Sequence, residues 1–420
     1  MIKKDVSLPT LGIIVILSLS LLGELYRFHG FLLLDLFTPI FVFAWIANQI
    51  IQKKSVFLPK TVIPAGLFLL IGFASLLIRS GNLSWRDFFE SAFYGLRWAS
   101  LFVLSIIATN QNQKNKNLIF YALAVFALLL AIAGFIQLKL VPDFTAYEAL
   151  GWDPHQNRLL STWFDPNFVG GFLSFIIPVF IGAFFSAKHN SSRIFFLVLL
   201  SVLFIALALT FSRSSYLALT AGLAIFALLK SKKLLLIFGI ILVVAVTTVP
   251  EVRTRVNTLK QDAVSVLTES YTLPDDSARL RYSSWKEGLT LFYKNPLIGQ
   301  GYNRYKFATL EGQTSVDPSS HASTGSDSSL ITILATTGVL GFLPFLAVYF
   351  LLLFSAWQSR TNLGTGFLAG LLALLIHATF VNSLLFPLLS APFWITSGLI
   401  LCQRNPAHNS NTIGKSTIPN

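Results

Sequence analysis

Cysteine and methionine each occur once in these 420 residues, and charged side chains make up only 12% of them. Cys402 has no partner for an intramolecular disulfide, so packing has to hold the fold. Soluble domains of this length carry about twice this charged fraction, which argues that water is not the main solvent of the chain. Acidic residues are scarce, 18 against 31 Lys and Arg, for a net charge of +13. The six His are scattered, with no paired His or His/Asp spacing on one helix, so no metal site is expected. Neither a Walker loop nor a dinucleotide fingerprint is present, so no cofactor is expected. Any energy source has to come with the substrate.

What the chain has in abundance is apolar surface. Hydrophobic residues make up 54% of it, 39 of them Phe, and the mean hydropathy is +0.69. The basic residues sit in short clusters between apolar runs, the pattern that orients a membrane protein. Nucleic acid is therefore set aside as a partner in favour of the lipid bilayer. Apolar runs stand near 8–23, 30–51, 61–79, 92–109, 118–140, 166–186, 194–212, 214–229, 233–249, 327–354, 363–385 and 388–402. Each is long enough to cross the ~30 Å hydrocarbon core as a helix. Helix is the state that satisfies the backbone in lipid, so the expected fold is an all-α polytopic membrane protein of about twelve transmembrane helices. Met1-Ile2-Lys3-Lys4 ahead of the first run has the look of a secretory signal. Ser18-Leu19-Ser20 is a poor cleavage site, however, and the run reads as an uncleaved span.

Orientation follows from charge. With the N-terminus inside, fifteen Lys and Arg fall in cytoplasmic segments, against seven (Arg27, Arg79, Arg86, Arg97, Lys139, Arg158 and Arg213) in the short outer segments and adjoining helix ends. That is the sense of the positive-inside rule and puts both termini in the cytoplasm. Residues 1–249 then carry helices one to nine, and 250–326 form a long outer loop between the ninth and tenth helices. Residues 327–402 carry the last three helices, and 403–420 are a polar cytoplasmic tail. Ordering a loop of this length costs entropy that something must offset. Within it Trp285, Leu289 and Phe292 recur at i, i+4 and i+7, which predicts an amphipathic helix. Asn295-Pro296 and Gly299-Gln300-Gly301 read as turns.

Several polar residues at the outer face could carry chemistry. Arg213 stands where an outgoing helix ends and an ingoing one begins, beside serines that can cap it. The free N–H groups of the ingoing helix, its dipole and the guanidinium together suit an anion such as a diphosphate; an arginine snorkelling to the headgroups is the plain alternative. Arg158 precedes Asp165-Pro166, which look like the cap and first turn of another ingoing helix. It is either a ligand or a loop arginine paired with Asp153 or Asp165. Arg279 and Arg281 precede Trp285 and are either ligands or ordinary loop charges. Asp327 opens the next span as an N-cap or a catalytic group, with a helix dipole that would hold its pKa low. His321 lies six residues earlier in the loop. Asp35 and His377 fall within spans, where they face either an outward-opening cavity or hydrogen-bonded partners in the bundle.

Four stretches carry a family likeness in order. They are Arg158 leading to Pro166-Asn167-Phe168-Val169-Gly170; Thr210-Phe211-Ser212-Arg213-Ser214; Arg281-Tyr282-Ser283-Ser284-Trp285 running on to Pro296-Leu297-Ile298-Gly299-Gln300-Gly301; and Ser328-Ser329-Leu330 running to Gly338-Val339-Leu340-Gly341. From about Arg158 to Leu343 the chain resembles the O-antigen ligase and polymerase family of bacterial membrane proteins, whose fold is the GT-C type of glycosyltransferase. The resemblance implies a metal-independent glycosyltransferase that uses an undecaprenyl-diphosphate-linked glycan as donor and a lipid or glycan as acceptor. It implies that Arg213 and Arg281, with Arg158 and Arg279, bind the diphosphate, and that a general base takes the acceptor proton. In the ligases a histidine stands eleven residues before the first glycine of Gly-x-x-Gly. Here that position is Asp327, so either Asp327 or His321 is the expected base. A polymerase of the same family is the alternative reaction, and a small-anion transporter is the alternative of another class.

The charge count makes a direct prediction. Cys402 should react with a membrane-impermeant thiol reagent only after cells are opened, whereas Ser315→Cys should react in intact spheroplasts. Labelling of Cys402 from outside would reverse the orientation.

Overall fold

The computed structural model describes residues 6–28, 31–230, 276–313 and 325–401, with isolated positions between 233 and 257. Its helices are α1 (Leu8–Leu22), α2 (Leu33–Ile51), α3 (Val62–Ile78), α4 (Trp85–Thr109), α5 (Gln113–Leu140), α6 (Pro166–Ser186), α7 (Asn190–Leu209) and α8 (Arg213–Lys230). They continue with α9 (Asp276–Lys294), the single turn α10 (Tyr305–Ala308), α11 (Ser329–Ser359), α12 (Asn362–Phe380) and α13 (Pro387–Ile400). Eight of these, namely α1, α2, α4, α5, α6, α7, α11 and α12, are long and apolar enough to cross a membrane. The apolar helices α3 and α13 are shorter. A described helix stands at each expected span except 233–249, which, like the stretch 250–275, lies outside the described residues apart from isolated positions.

Local sequence accounts for the helix starts. Ser7, Ser84, Asn112, Asp165, Ser328 and Thr361 each stand at a helix start with the side chain accepting from a backbone N–H of the first turn. Pro166 follows Asp165 at a position where a missing N–H costs nothing. In the core, α12 lies against α6 and α8, α13 against α4, and α11 against α3. Gly366 and Gly370, one turn apart on α12, meet the α6 backbone at Pro178 and Phe175, so the two helices approach more closely than any side chain would allow. Trp394 on α13 packs edge-on against Trp98 and Phe102 of α4, with ring centres 5.8 and 5.1 Å apart.

The sequence predicts a span over 327–354, and the structure has α11 there with a break inside it. Gly338 has φ 61° and ψ −171°, which interrupts α11 after its second turn. The segment 296–301 is inserted at the break and satisfies what the helix gives up. Gln300 N donates to Ala335 O at 2.9 Å and Gly301 N to Thr336 O at 3.0 Å. Val339 N donates to Pro296 O at 2.9 Å and Leu340 N to Leu297 O at 3.1 Å. Ser75 of α3 locks the junction by donating to Ile298 O at 2.6 Å, and Arg79 hydrogen-bonds Asn295.

The predicted amphipathic helix is α9. Its most buried face is Ser284, Gly288 and Leu291, while Trp285, Leu289 and Phe292 are half-buried beside it. Gly288 lets α9 settle on Ile331 of α11. The helix therefore caps the start of α11 as well as presenting an apolar edge.

Gly338→Ala would meet both the left-handed φ and the Leu297 carbonyl, so it should destabilise the fold by about 2–4 kcal/mol. Gly66→Ala, in open space on α3, should be neutral or slightly stabilising. Thermal unfolding in detergent compares the two. Equal midpoints would remove the inserted segment from its structural role.

Candidate functional site

Three helix starts meet at one end of the bundle. Asp165 caps α6, its Oδ1 accepting from Asn167 N at 2.6 Å and Phe168 N at 3.2 Å. Asn167 then ties α6 to α8, because its Oδ1 accepts from Ser212 Oγ at 3.0 Å. It also accepts from Arg158 Nη2 at 3.3 Å. Gly170 gives Ser215 room to pack against α6. The start of α11 joins the group through Leu384 N, which donates to Ser329 Oγ at 3.0 Å, and through Ser328 Oγ, which donates to Ala378 O at 3.3 Å. Each start presents the positive end of a helix dipole.

The arginines separate by position. Arg158 donates from Nε to Thr210 O at 2.8 Å and contacts His155 Nδ1 at 3.4 Å, so it is fixed to the α7–α8 turn as well as to Asn167. Its charge also reaches Asp165, one of the two carboxylates considered as its partner. Arg213 is the first residue of α8 and is half-buried. Arg281 is half-buried on α9, and its nearest opposite charges are Asp327 and Asp165. Arg279, two residues earlier, is exposed on another face of α9, so the structure does not bring it in with Arg281. His321 lies outside the described residues.

Asp327 is not the cap of α11. Ser328 takes that place, accepting from Ile331 N at 3.4 Å, while Asp327 N donates to Ser284 Oγ of α9 at 2.9 Å. The expectation of a depressed pKa is also corrected. Burial raises the pKa of Asp327, and the Arg281 charge only partly opposes it. Asp165 is raised by burial as well, against its two backbone hydrogen bonds and Arg158. Burial, together with Arg158, pushes His155 down to about 4, which keeps it neutral near pH 7.

One grouping was missed from sequence. Asp153, His155 and Asp165 bring one ligand atom each to within 4.8 Å of one another, a spacing that could hold a cation. It draws on a loop and a helix cap, so a search for paired ligands on one helix passes over it. The Arg158 guanidinium against His155 competes with a cation there by charge. The two intramembrane groups also resolve. Asp35 pairs with Arg97 at 3.4 Å, and His377 is fully buried between Ser215 and Ser383, so both have partners within the bundle.

The fold thus defines a multi-pass membrane protein whose arginines and buried hydroxyls gather where three helices begin. The family model described as O-Antigen ligase matches residues 195–346, from α7 through the break in α11, and supports assignment to the O-antigen ligase family. The match covers less than half of the chain and begins after the Arg158 motif. No curated protein matches the chain.

Replacing the α6 cap tests the local frame. Asp165→Ala should cost about 1 kcal/mol of stability and Asp165→Asn much less, since Asn still accepts from the first turn. Equal losses in thermal unfolding would mean that the charge, not the cap, is what Asp165 supplies.

Proposed function

We propose that the chain is an O-antigen ligase-type glycosyltransferase of GT-C type, moving a glycan from an undecaprenyl-diphosphate carrier to a lipid or glycan acceptor. It acts at the outer face of the bacterial inner membrane, with both termini cytoplasmic and the 250–326 segment outside. The observation that carries this reading is the half-buried Arg281, whose charge meets those of Asp327, ahead of α11, and Asp165, the cap of α6.

The reaction is a displacement at the anomeric carbon. The acceptor oxygen forms the new C–O bond as the bond to the carrier diphosphate breaks. Negative charge grows on the leaving diphosphate, and Arg213 and Arg281, with Arg158 behind them and helix dipoles beneath, oppose it. Arg279 is the weakest of the proposed ligands because it faces away. The acceptor proton goes to Asp327, whose carboxylate is freed by Ser328 taking the cap and is made more basic by burial. His321 is the competing base. The arginines and dipoles supply the charge stabilisation themselves, so the proposed chemistry is metal-independent.

A polymerase of the same family is the second reading, favoured by Asp327 standing where the ligases place a histidine. The two differ in what deletion leaves behind. Without a ligase, long glycan remains on the carrier lipid and none reaches the acceptor; without a polymerase, a single repeat unit is attached. Accumulation of neither product points to an anion transporter.

Point variants test the chemistry. Asp327→Asn should lower transfer about a hundredfold or more with donor binding retained. Arg213→Lys keeps charge but loses the forked contact and should lose at least about tenfold, equivalent to roughly 1.4 kcal/mol. Because the deprotonated carboxylate is the active form, activity should fall as pH drops through a pKa above the ordinary Asp range. If His321→Ala abolishes transfer and Asp327→Asn does not, the base lies in the loop.

A further inference from the structure

His377 has no part in the chemistry above. It lies in the last turn of α12 and is fully buried. Its Nε2 is 3.2 Å from Ser215 Oγ on α8, and its Nδ1 is 2.6 Å from Ser383 Oγ beyond the end of α12. Gly171 of α6 makes the space, since a Cβ there would sit 2.7 Å from His377 Cε1.

Each hydroxyl has one proton, and that sets the direction of the whole chain. Ser212 Oγ gives its proton to Asn167 Oδ1 at 3.0 Å, and Ser215 Oγ gives its own to Ser212 Oγ at 2.9 Å. Ser215 has none left for the ring, so Nε2 carries a proton and donates to Ser215. A neutral imidazole then has a bare Nδ1, which takes the Ser383 proton at 2.6 Å in preference to the Val381 carbonyl at 3.3 Å. At one end of the chain, Asn167 Oδ1 also holds Arg158. At the other, Leu384 N binds Ser329, the first residue of α11 and two residues from Asp327.

We propose that His377, as the neutral Nε2–H tautomer, is a positioning residue that joins the Arg158–Asn167–Ser212 cradle to the start of α11 and so sets where Asp327 stands relative to the arginines. The catalytic consequence rests on the glycosyl-transfer reading; the tautomer does not. Without a donor at the Nε2 position, Ser215 loses its reason to face Ser212, and the cradle and α11 are no longer tied through hydrogen bonds of one polarity. Small misplacements of this kind are costly: about 1 Å in a catalytic geometry can reduce rates a hundredfold.

The test uses the full chain in lipid nanodiscs. Nitrogen-15 spectra of histidine-labelled protein, with His377→Gln identifying the signals, should show a protonated Nε2 and a bare Nδ1. Glycan transfer from a lipid-diphosphate donor is then measured per folded molecule. His377→Leu should lose at least about tenfold in turnover, and His377→Gln, whose amide reaches the Nε2 position, should recover to within about threefold of wild type. A purely structural role would lower the folded amount and leave turnover per molecule unchanged. If His377→Leu does not accumulate, Ser383→Ala breaks the same chain outside the ring cavity and should show the same loss. A doubly protonated ring, a proton on Nδ1 alone, or wild-type turnover in His377→Leu or Ser383→Ala overturns the proposal. Wild-type protein that transfers no glycan overturns the glycosyl-transfer reading instead, and the spectrum still decides the tautomer.

Discussion

Where α11 unwinds at Gly338, two carbonyls and two N–H groups lose their helical partners inside an apolar bundle. Unpaired there, each would cost on the order of 1–3 kcal/mol. The segment 296–301 supplies all four partners, accepting at Pro296 and Leu297 and donating at Gln300 and Gly301. Gly299 and Gly338 are the positions at which the two backbones come too close for any side chain, and both have positive φ. The exchange fastens the C-terminal end of α9 to the middle of α11. With Gly288 packed on Ile331, it leaves α9 little freedom to slide. The position of Arg281, whose charge acts on Asp327, depends on it.

The electrostatics of the site follow from that placement. Helices α6, α8 and α11 all begin here, so their dipoles present positive potential to the same region, and Arg158, Arg213 and Arg281 add to it. Asp165 and Asp327 both lie in this positive region, and they are used differently. Asp165 spends an oxygen on two backbone N–H groups and holds α6. Asp327 is relieved of capping by Ser328, while burial and Arg281 pull its pKa in opposite directions and burial prevails. A carboxylate that is half-buried, within the field of a cation and uncommitted to the backbone can exchange a proton with a substrate hydroxyl.

Much of this was legible in the sequence, for identifiable reasons. Lipid leaves helix as the state available to long apolar runs, so α1 to α8 and α11 to α13 stand close to where hydropathy puts them. Asp165-Pro166 announced the start of α6 because cap and first-turn chemistry is local. The break in α11 was not legible, because Gly338 sits in an apolar run and its partner segment lies some forty residues earlier. Gly299, read as part of a turn, and Gly338, part of the last family-like stretch, prove to be contacts between backbones. Ser328 displaced Asp327 as cap because adjacent residues compete for one role, which spacing alone does not settle. The environment of His377 needed Ser215, Ser383 and Gly171 from three separate stretches.

The central claim is that the inserted segment and the three helix starts form one site for a lipid-linked diphosphate. An electron cryo-microscopy structure of the chain in nanodiscs, bound to an undecaprenyl-diphosphate-linked glycan, tests it most directly. The account predicts the diphosphate within hydrogen-bond reach of both Arg213 and Arg281, with the first sugar facing Asp327. A diphosphate held at the opposite end of the bundle, or at the bilayer midplane away from both arginines, would contradict it.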